Sequence, residues 1–192
     1  MSVDLTNSLV AYYKLNDSQD SSGNGHHGTL NGGGNGSPGS FEASGQLLGS
    51  GCLSVDESGV PGYVGDGSAG GAKPLAIPGL SSLAGSTALT ISVWCKPNSL
   101  HNDSENSGNW QKDRYVVSLL GDGAHLSAKY GRWEWQVNDI DKDNEANNVY
   151  TYVASSQFSI RREDPYVEDK WVHLVGRFDA VARTMTLFVD GV

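Results

Sequence analysis

The first residues that could do chemistry form a polar turn near the beginning of the chain. It contains four oxygen-bearing side chains followed by a glycine: Asp17, Asp20, Ser22, Asn24 and Gly25. A tight turn could direct their oxygens inward, and calcium prefers about six to eight oxygen ligands. The same residue types also form Asx turns, in which side chains bond to their own backbone. The pattern therefore predicts either a calcium site or a self-bonded turn.

Aromatic side chains form a second candidate site, in this case for a sugar. Trp133, together with Tyr150 on a neighbouring strand, could offer flat apolar ring faces that suit the C–H face of a sugar. However, Trp133, Trp135 and Val137 share one face of a strand by alternation, and such a stripe also fits a core. Trp110 lies in a polar loop, so packing explains it least and we predict that it contacts the ligand.

The sequence lacks the usual catalytic signatures. A glycosidase needs two carboxylates about 5–9.5 Å apart; Glu134 could point outward opposite the tryptophans, but no strand presents a second carboxylate. The acidic run 139–145 lacks the glycine and the closing glutamate of an EF-hand calcium loop. His101, His125 and His173 are isolated, and no serine lies in a Gly-x-Ser-x-Gly motif. We therefore predict that the protein is not an enzyme.

Charge and composition limit the possible partners. The 192 residues include 22 acidic and 13 basic side chains, with a formal net charge of −9, which argues against binding to nucleic-acid phosphate. No stretch approaches the roughly 20 apolar residues of a membrane span, and the first residues do not resemble a signal peptide. Cys52 and Cys95 could form a disulfide or be buried thiols.

Short β-strands are the elements that must position these residues. Between Leu89 and Lys96 apolar and polar side chains alternate, and this period of two fits no helix. The chain contains 25 glycines, which fits many tight turns. The predicted strands are Leu9–Leu15, Cys52–Val55, Gly62–Val64, Leu89–Lys96, Arg114–Leu120, Leu126–Val137, Val149–Ile160, Trp171–Phe178 and Thr184–Val189. They predict one domain, residues 1–192, folded as an all-β, two-sheet antiparallel sandwich.

Several stretches occur in an order typical of one known family. They are residues 9–17, the Asp-Ser-Ser-Gly-Asn-Gly turn at 20–25, the Thr-Ile-Ser-Val-Trp-Cys-Lys-Pro strand within 89–97, and the late segments 171–179 and 185–191. Together they resemble the laminin-G-like, concanavalin A-like jelly-roll family. The resemblance implies a jelly-roll sandwich in an extracellular or virion protein. In some members it also implies a metal near the first turn.

The end of the chain departs from the pattern of that family. Members usually continue beyond the Val-Asp-Gly turn with further strands, whereas the given sequence stops at Val192. Asp190 and Gly191 predict a tight hairpin, because both positions of such a turn favour residues that tolerate positive φ. Two explanations are open. Either the sequence is a fragment, or another chain or a second copy donates the missing strand.

These observations predict a non-catalytic recognition module. We expect it to bind a glycan or a protein surface through loops at one rim of the sandwich, with Ca²⁺, if present, stiffening those loops. One alternative is a structural protein, such as a virion decoration or tail component or a surface adhesin, that assembles through its unpaired terminal strand. A carbohydrate-active enzyme is a third alternative, which two facing carboxylates in a cleft would support.

Overall fold

The computed structural model describes most of the chain in separate stretches. The described residues are 8–30, 39–43, 51–55, 75–77, 79–83, 85–97, 114–119, 124–129, 132–137, 159–165, 167 and 169–192. The chain divides into two compact units, Met1–Ser82 and Leu83–Val192. The organisation of residues 1–192 as a single domain stays a prediction.

Antiparallel β-structure dominates the described residues, which confirms the predicted all-β class. The strands are β1 (Thr29–Leu30), β2 (Gly39–Glu42), β3 (Cys52–Val55), β4 (Leu75–Ala76), β5 (Ala88–Cys95), β6 (Arg114–Leu119), β7 (Ala124–Lys129), β8 (Arg132–Val137), β9 (Ser159–Pro165), β10 (Val172–Asp179) and β11 (Thr184–Val189). Within the described residues the only helix is a 3-10 turn at Leu80–Leu83. In that part of the chain no helix has the length and apolar character needed to span a membrane.

The first unit contains two small sheets and the polar turn. Strand β1 pairs with β4, and β2 pairs with β3. The predicted strand Leu9–Leu15 is wrong, because this segment makes only an isolated bridge between Tyr13 and Asp20. Side chains of the polar turn form hydrogen bonds with the backbone of this segment instead.

A three-stranded sheet in the second unit has the order β11-β10-β5. Side chains on its strands alternate between the two faces, because successive residues of a strand point in opposite directions. On β10, Val172 and Leu174 are buried, whereas His173 and Arg177 belong to the other face. The alternation predicted for β5 is confirmed, with Ile91 buried between the exposed Thr90 and Ser92. We call the face that carries His173 and Ser92 the outer face.

A four-stranded sheet of order β6-β7-β8-β9 supplies the other half of this unit's core. Its buried apolar side chains cluster with those of the three-stranded sheet: Ala124, Leu126, Trp133 and Trp135 with Ile91, Val172, Leu174 and Leu187. This core confirms the predicted sandwich. Trp133 is only 3% exposed, so its ring offers no open face to a ligand. The predicted ligand contact at Trp133 is corrected to a core position.

The two sheets meet where Trp135 of β8 packs on Gly176 of β10. A Cβ atom on Gly176 would lie 2.5 Å from Cδ2 of the indole, which is far closer than carbon atoms can approach. The indole Nε1–H donates a hydrogen bond to the carbonyl of Arg177 at 3.1 Å. Because glycine has no side chain, position 176 leaves the space in which Trp135, the largest core residue, is buried and hydrogen-bonded.

A two-residue turn follows β11, as the sequence predicts. Asp190 and Gly191 both have positive φ, of 53° and 82°, as the type I′ hairpin turn requires. Val189 and Val192 close the turn through two backbone hydrogen bonds of 3.1 Å. A strand donated by another chain stays a prediction. Cys52 and Cys95 do not form a disulfide.

Candidate functional site

The polar turn of the first unit is organised around the buried carboxylate of Asp20. Oδ1 accepts hydrogen bonds from the backbone N–H groups of Tyr12, at 2.9 Å, and Ser22, at 2.8 Å. Oδ2 accepts from the Ser22 hydroxyl, at 2.8 Å, and the His26 N–H, at 3.1 Å. An ionised carboxylate has about four acceptor positions. The four protein donors therefore occupy the acceptor positions of Asp20.

Asn24 completes the turn and explains why no first strand forms. Its side-chain Nδ2 donates to the carbonyls of Leu9, at 2.7 Å, and Val10, at 3.0 Å. Together with the bond from Tyr12 N–H to Asp20, these contacts occupy backbone groups that a neighbouring strand would otherwise pair. Asx side chains compete with secondary structure in this way because they reach nearby backbone groups. Hydrogen bonds thus join the turn and the segment 9–13 into one local structure.

These contacts fit the self-bonded turn better than a calcium site. Besides the filled carboxylate of Asp20, Oδ1 of Asp17 accepts a bond from the N–H of Gln19 at 2.9 Å, and Nδ2 of Asn24 donates to two backbone carbonyls. Among the described residues, no group of three or more His, Cys, Asp or Glu side chains could hold a metal ion. Calcium binding by Asp17, Asp20, Ser22 and Asn24 stays a prediction for calorimetric titration.

Asp20 is expected to make the protein sensitive to acid. Burial alone would raise the pKa of Asp20, but the hydrogen bonds from Tyr12, Ser22 and His26 outweigh burial and hold this pKa well below its ordinary value of 3.8. A group with a lowered pKa in the folded state stabilises the fold fully above its unfolded pKa. That stabilisation is lost as the pH falls below about 4 towards the folded pKa.

The variant Asp20→Asn tests this expectation. It should melt at a lower temperature than the parent protein at neutral pH, because an amide places a donor where the carboxylate accepts. The difference between the two melting temperatures should shrink as the pH falls below about 4, because the Asp20 carboxyl then takes up a proton in the unfolded chain before it does so in the folded protein. Asp17→Asn is the matched control and should change little, since Asp17 is exposed. A difference that is independent of pH would contradict the role of Asp20.

The outer face of the second unit carries a different candidate site, built on an exposed tryptophan. Trp94 of β5 is 41% exposed and lies opposite His173 of β10 in the antiparallel register. Their rings stack with centroids 4.7 Å apart and planes 18° from parallel. His173 Nε2 is 2.8 Å from the hydroxyl oxygen of Ser92. The stack and the hydrogen bond hold the Trp94 ring at a defined angle.

Two charged side chains stand beside this tryptophan. Lys96 is two positions after Trp94, so an extended chain places both on the same side. Its Nζ lies 3.4 Å from Oδ1 of Asp169. Asp169 has a positive φ of 58°, and its N–H donates to the carbonyl of Pro97 at 2.8 Å, which ties it to the end of β5. We call Ser92, Trp94, Lys96, Asp169 and His173 the Trp94 surface.

Ser92 and His173 do not extend into a catalytic triad with Asp190. In a triad the carboxylate accepts a hydrogen bond from the ring Nδ1 and orients the imidazole. Here Asp190 Oδ1 accepts the backbone N–H of His173 at 2.9 Å, and the N–H of Asp190 donates to the His173 carbonyl at 2.9 Å. Asp190 therefore connects the turn after β11 to β10 through the backbone. The orientation of the His173 ring is set by its contacts with Trp94 and Ser92.

A buried polar row lies on the four-stranded sheet, on the face away from the core. The register pairs Ser127 with Glu134 and His125 with Gln136, while the core residue Trp135 faces the other way. Glu134 thus lies opposite the tryptophans, as predicted, but it is buried. Among the second unit's residues with described side chains, Glu134 is the only buried carboxylate.

The structure brings together residues that sequence analysis kept apart. Trp110 and Tyr150 lie outside the described residues, so their ligand contacts stay predictions. His173, which looks isolated in the sequence, pairs with Trp94 and Ser92 across two strands. Alternation along β5 already places Ser92 and Trp94 on one face. The register with β10, which the sequence does not specify, was the missing information.

Comparison with known proteins places this surface in a family context. A family model described as the concanavalin A-like lectin/glucanases superfamily matches residues 69–192, nearly two thirds of the chain. The match includes every residue of the Trp94 surface and begins after the polar turn of Asp20. No curated protein and no solved structure matches the chain.

Proposed function

Because the chain belongs to the concanavalin A-like lectin/glucanase superfamily, we propose that it is a non-catalytic recognition module that binds a glycan through the Trp94 surface. Membership of this superfamily suggests a carbohydrate- or protein-binding module. Because one fold supports many functions, the ligand class must be argued from the site itself.

The exposed, oriented ring of Trp94 is the observation that carries this proposal. His173 covers one face of the indole. The exposed part of Trp94 is therefore the opposite face and the edge of the ring. Within the described residues β5 is the edge strand of its sheet. A flat, apolar ring face fits the C–H face of a pyranose. Because the stack already orders the ring, the side chain of Trp94 loses little conformational entropy when a ligand binds.

Polar groups around Trp94 suit the hydroxyls of a sugar. Ser92 can donate or accept, the Lys96 ammonium donates, and the Asp169 carboxylate accepts. Sugar hydroxyls both donate and accept, so one sugar ring can satisfy all three groups. An apolar platform rimmed by a few convergent polar groups is the usual composition of a small-ligand site.

The surrounding surface favours a glycan over a protein partner. Stable protein interfaces bury about 1,200–2,000 Å² and have an apolar centre. Trp94 is the only exposed tryptophan in the described part of the chain, and its sheet face carries the exposed Thr90, Ser92 and Thr184 together with the half-buried Val175 and Phe188. The exposed polar side chains of this face support a ligand that is rich in hydroxyl groups.

The proposed function is binding of the ligand without a chemical reaction. In the described part of the chain, Asp190 bonds to the backbone of His173 and not to its imidazole. The exposed Ser92 partner of this ring lies in the middle of a regular strand. Both features argue against acyl transfer, which needs an oriented base and an oxyanion site.

A glycan array with the parent protein and Trp94→Ala tests the proposal. The protein should be displayed multivalently, because one stacked ring gives weak affinity, on the order of millimolar, that avidity must amplify. We expect the parent to retain a subset of glycans, and Trp94→Ala to lose at least about tenfold in apparent affinity for them, or about 1.4 kcal/mol.

Val181→Ala is the matched control for that array. Val181 is 83% exposed in the turn between β10 and β11, so the change removes an exposed apolar side chain elsewhere and should leave binding unaltered. Melting temperatures of both variants should stay close to the parent value, since exposed substitutions shift stability by only about 0.5 kcal/mol. Binding that survives in Trp94→Ala, or no binding by the parent, would refute the proposed function.

A further inference from the structure

We propose that Asn24 is a site of spontaneous deamidation, and that the folded turn delays this reaction until the segment 9–13 detaches from it. This modification site belongs to the first unit, outside the Trp94 surface, and is separate from the proposed function. Two observations carry it. The residue after Asn24 is Gly25, and the side-chain amide of Asn24 holds the segment 9–13 against the turn.

The reaction needs only these two neighbouring residues and water. The backbone nitrogen of Gly25 attacks Cγ of Asn24 and closes a cyclic succinimide. The bond between Cγ and Nδ2 breaks, and Nδ2 leaves as ammonia with the proton that the Gly25 nitrogen gives up. Water then opens the ring at either carbonyl and leaves an aspartate or an isoaspartate at position 24. Glycine favours the attack because it has no side chain to hinder the approach.

The folded turn opposes ring closure because it holds the leaving nitrogen. Nδ2 of Asn24 donates to the carbonyls of Leu9, at 2.7 Å, and Val10, at 3.0 Å. Ring closure moves the amide towards the Gly25 nitrogen and expels Nδ2, so both hydrogen bonds must break. The backbone of Asn24 is held as well, since its N–H donates to Oγ of Ser22 at 3.2 Å. Deamidation therefore waits until the turn opens.

The product of the reaction cannot restore the original contacts. An ionised carboxylate only accepts hydrogen bonds, whereas the amide of Asn24 donates to two carbonyls. Those carbonyls lose their donor and face a negative charge that repels their oxygens. Isoaspartate also adds a carbon atom to the main chain just before Gly25, whose φ of 80° belongs to the turn. The reaction is thus slow while the segment 9–13 is attached and weakens that attachment once it is complete.

Peptide mapping by tandem mass spectrometry measures the reaction. The parent protein is incubated at mildly alkaline pH, in buffer and in concentrated guanidinium chloride, and deamidation is followed as the mass increase of each asparagine. Two further Asn-Gly pairs, Asn31-Gly32 and Asn35-Gly36, lie outside the described residues and serve as internal references. In denaturant all three pairs should react at similar rates. In buffer Asn24 should react at least about tenfold more slowly than in denaturant, since two hydrogen bonds must first break.

Variants that weaken the turn should accelerate deamidation of Asn24 in buffer. Ser22→Ala removes the acceptor of the Asn24 N–H and one donor to Asp20, so the rate at Asn24 should rise several-fold. Asp20→Asn should act in the same direction, because Asp20 accepts the N–H of Tyr12. Asp17→Asn is the matched control: it changes the net charge equally at an exposed position and should leave the rate unchanged. If a variant fails to fold, the comparison of the parent in buffer and in denaturant decides.

The variant Asn24→Asp carries the side chain of one product and tests the consequence of the reaction. Amide hydrogen exchange in the segment 9–13 should be faster in this variant than in the parent, because exchange reports local opening. Exchange in the three-stranded sheet of the second unit should stay the same.

Each part of the proposal has an outcome that would overturn it. Equal rates at Asn24 in buffer and in denaturant would mean that the turn gives no protection. An Asn24 that stays intact in denaturant while the two reference pairs react would remove the modification site itself. Unchanged exchange of the segment 9–13 in Asn24→Asp would show that the product still holds this segment.

Discussion

Replacement of Gly176 by alanine is expected to destabilise the second unit by about 1–3 kcal/mol, the usual effect of overpacking a core. A Cβ atom at this position would lie 2.5 Å from Cδ2 and 2.7 Å from Cε3 of Trp135. In an open strand the same change would stabilise the fold by about 0.5–1 kcal/mol, because alanine restricts the unfolded chain. A decrease in the unfolding free energy would therefore show that the new methyl group contacts the indole. Urea unfolding of the two proteins measures the difference in unfolding free energy.

A double-mutant cycle with Trp135→Leu isolates that contact. Removal of the indole should leave room for the new methyl group, so Gly176→Ala should cost much less in the Trp135→Leu background. Contacting residues show coupling energies of about 0.5–3 kcal/mol, whereas independent sites are additive. Additive effects would mean that Gly176 and Trp135 do not form the contact that joins the two sheets.

The second large effect is expected for Trp135→Ala, at about 3–5 kcal/mol. Trp135 is fully buried, so its loss leaves a large cavity between the sheets. It also removes the indole N–H that bonds to the carbonyl of Arg177, and a buried acceptor without its donor adds to the cost.

Trp94→Ala provides the matched control, since it deletes the same side chain from an exposed position. We expect it to change the unfolding free energy by less than about 1 kcal/mol. Chemical unfolding of both variants, monitored by far-UV circular dichroism, gives the comparison. Similar losses in the two variants would contradict the assignment of Trp135 to the core and Trp94 to the surface.

Much of the fold could be predicted from patterns of hydrophobic residues. Alternation in the second unit located β5 and β10 to within one residue at each end, and it gave the bounds of β11. These strands are recognisable because one face of each is buried and the other is not. The Asp190 and Gly191 turn was predictable because its backbone requires positive φ at both positions. The family resemblance added the sandwich architecture.

Errors arose where side chains or turns override the pattern. The segment 9–15 has the apolar composition of a strand, but Asp20 and Asn24 bond to its backbone. The predicted strand Leu126–Val137 is instead the hairpin of β7 and β8, since the break between Lys129 and Arg132 has no strong turn signal.

The candidate site could be predicted only in part. Sequence analysis selected tryptophans, yet Trp133 faces the core, while Trp94 was interpreted only as part of a family motif. A period of two defines two faces of a strand without stating which face is covered. Strand order and register, which place His173 opposite Trp94 and next to Ser92, are set by contacts distant in sequence.

Recognition through the Trp94 surface is tested directly by titrating the protein with the glycan that it binds most tightly on the array and recording proton–nitrogen correlation spectra. We expect the indole N–H signal of Trp94 and the backbone signals of Ser92 and His173 to shift in proportion to saturation. The indole signal of Trp135, which is buried and bonded to Arg177, should stay in place. Shifts that saturate elsewhere in the chain while the Trp94 signal stays unchanged would contradict recognition through the Trp94 surface.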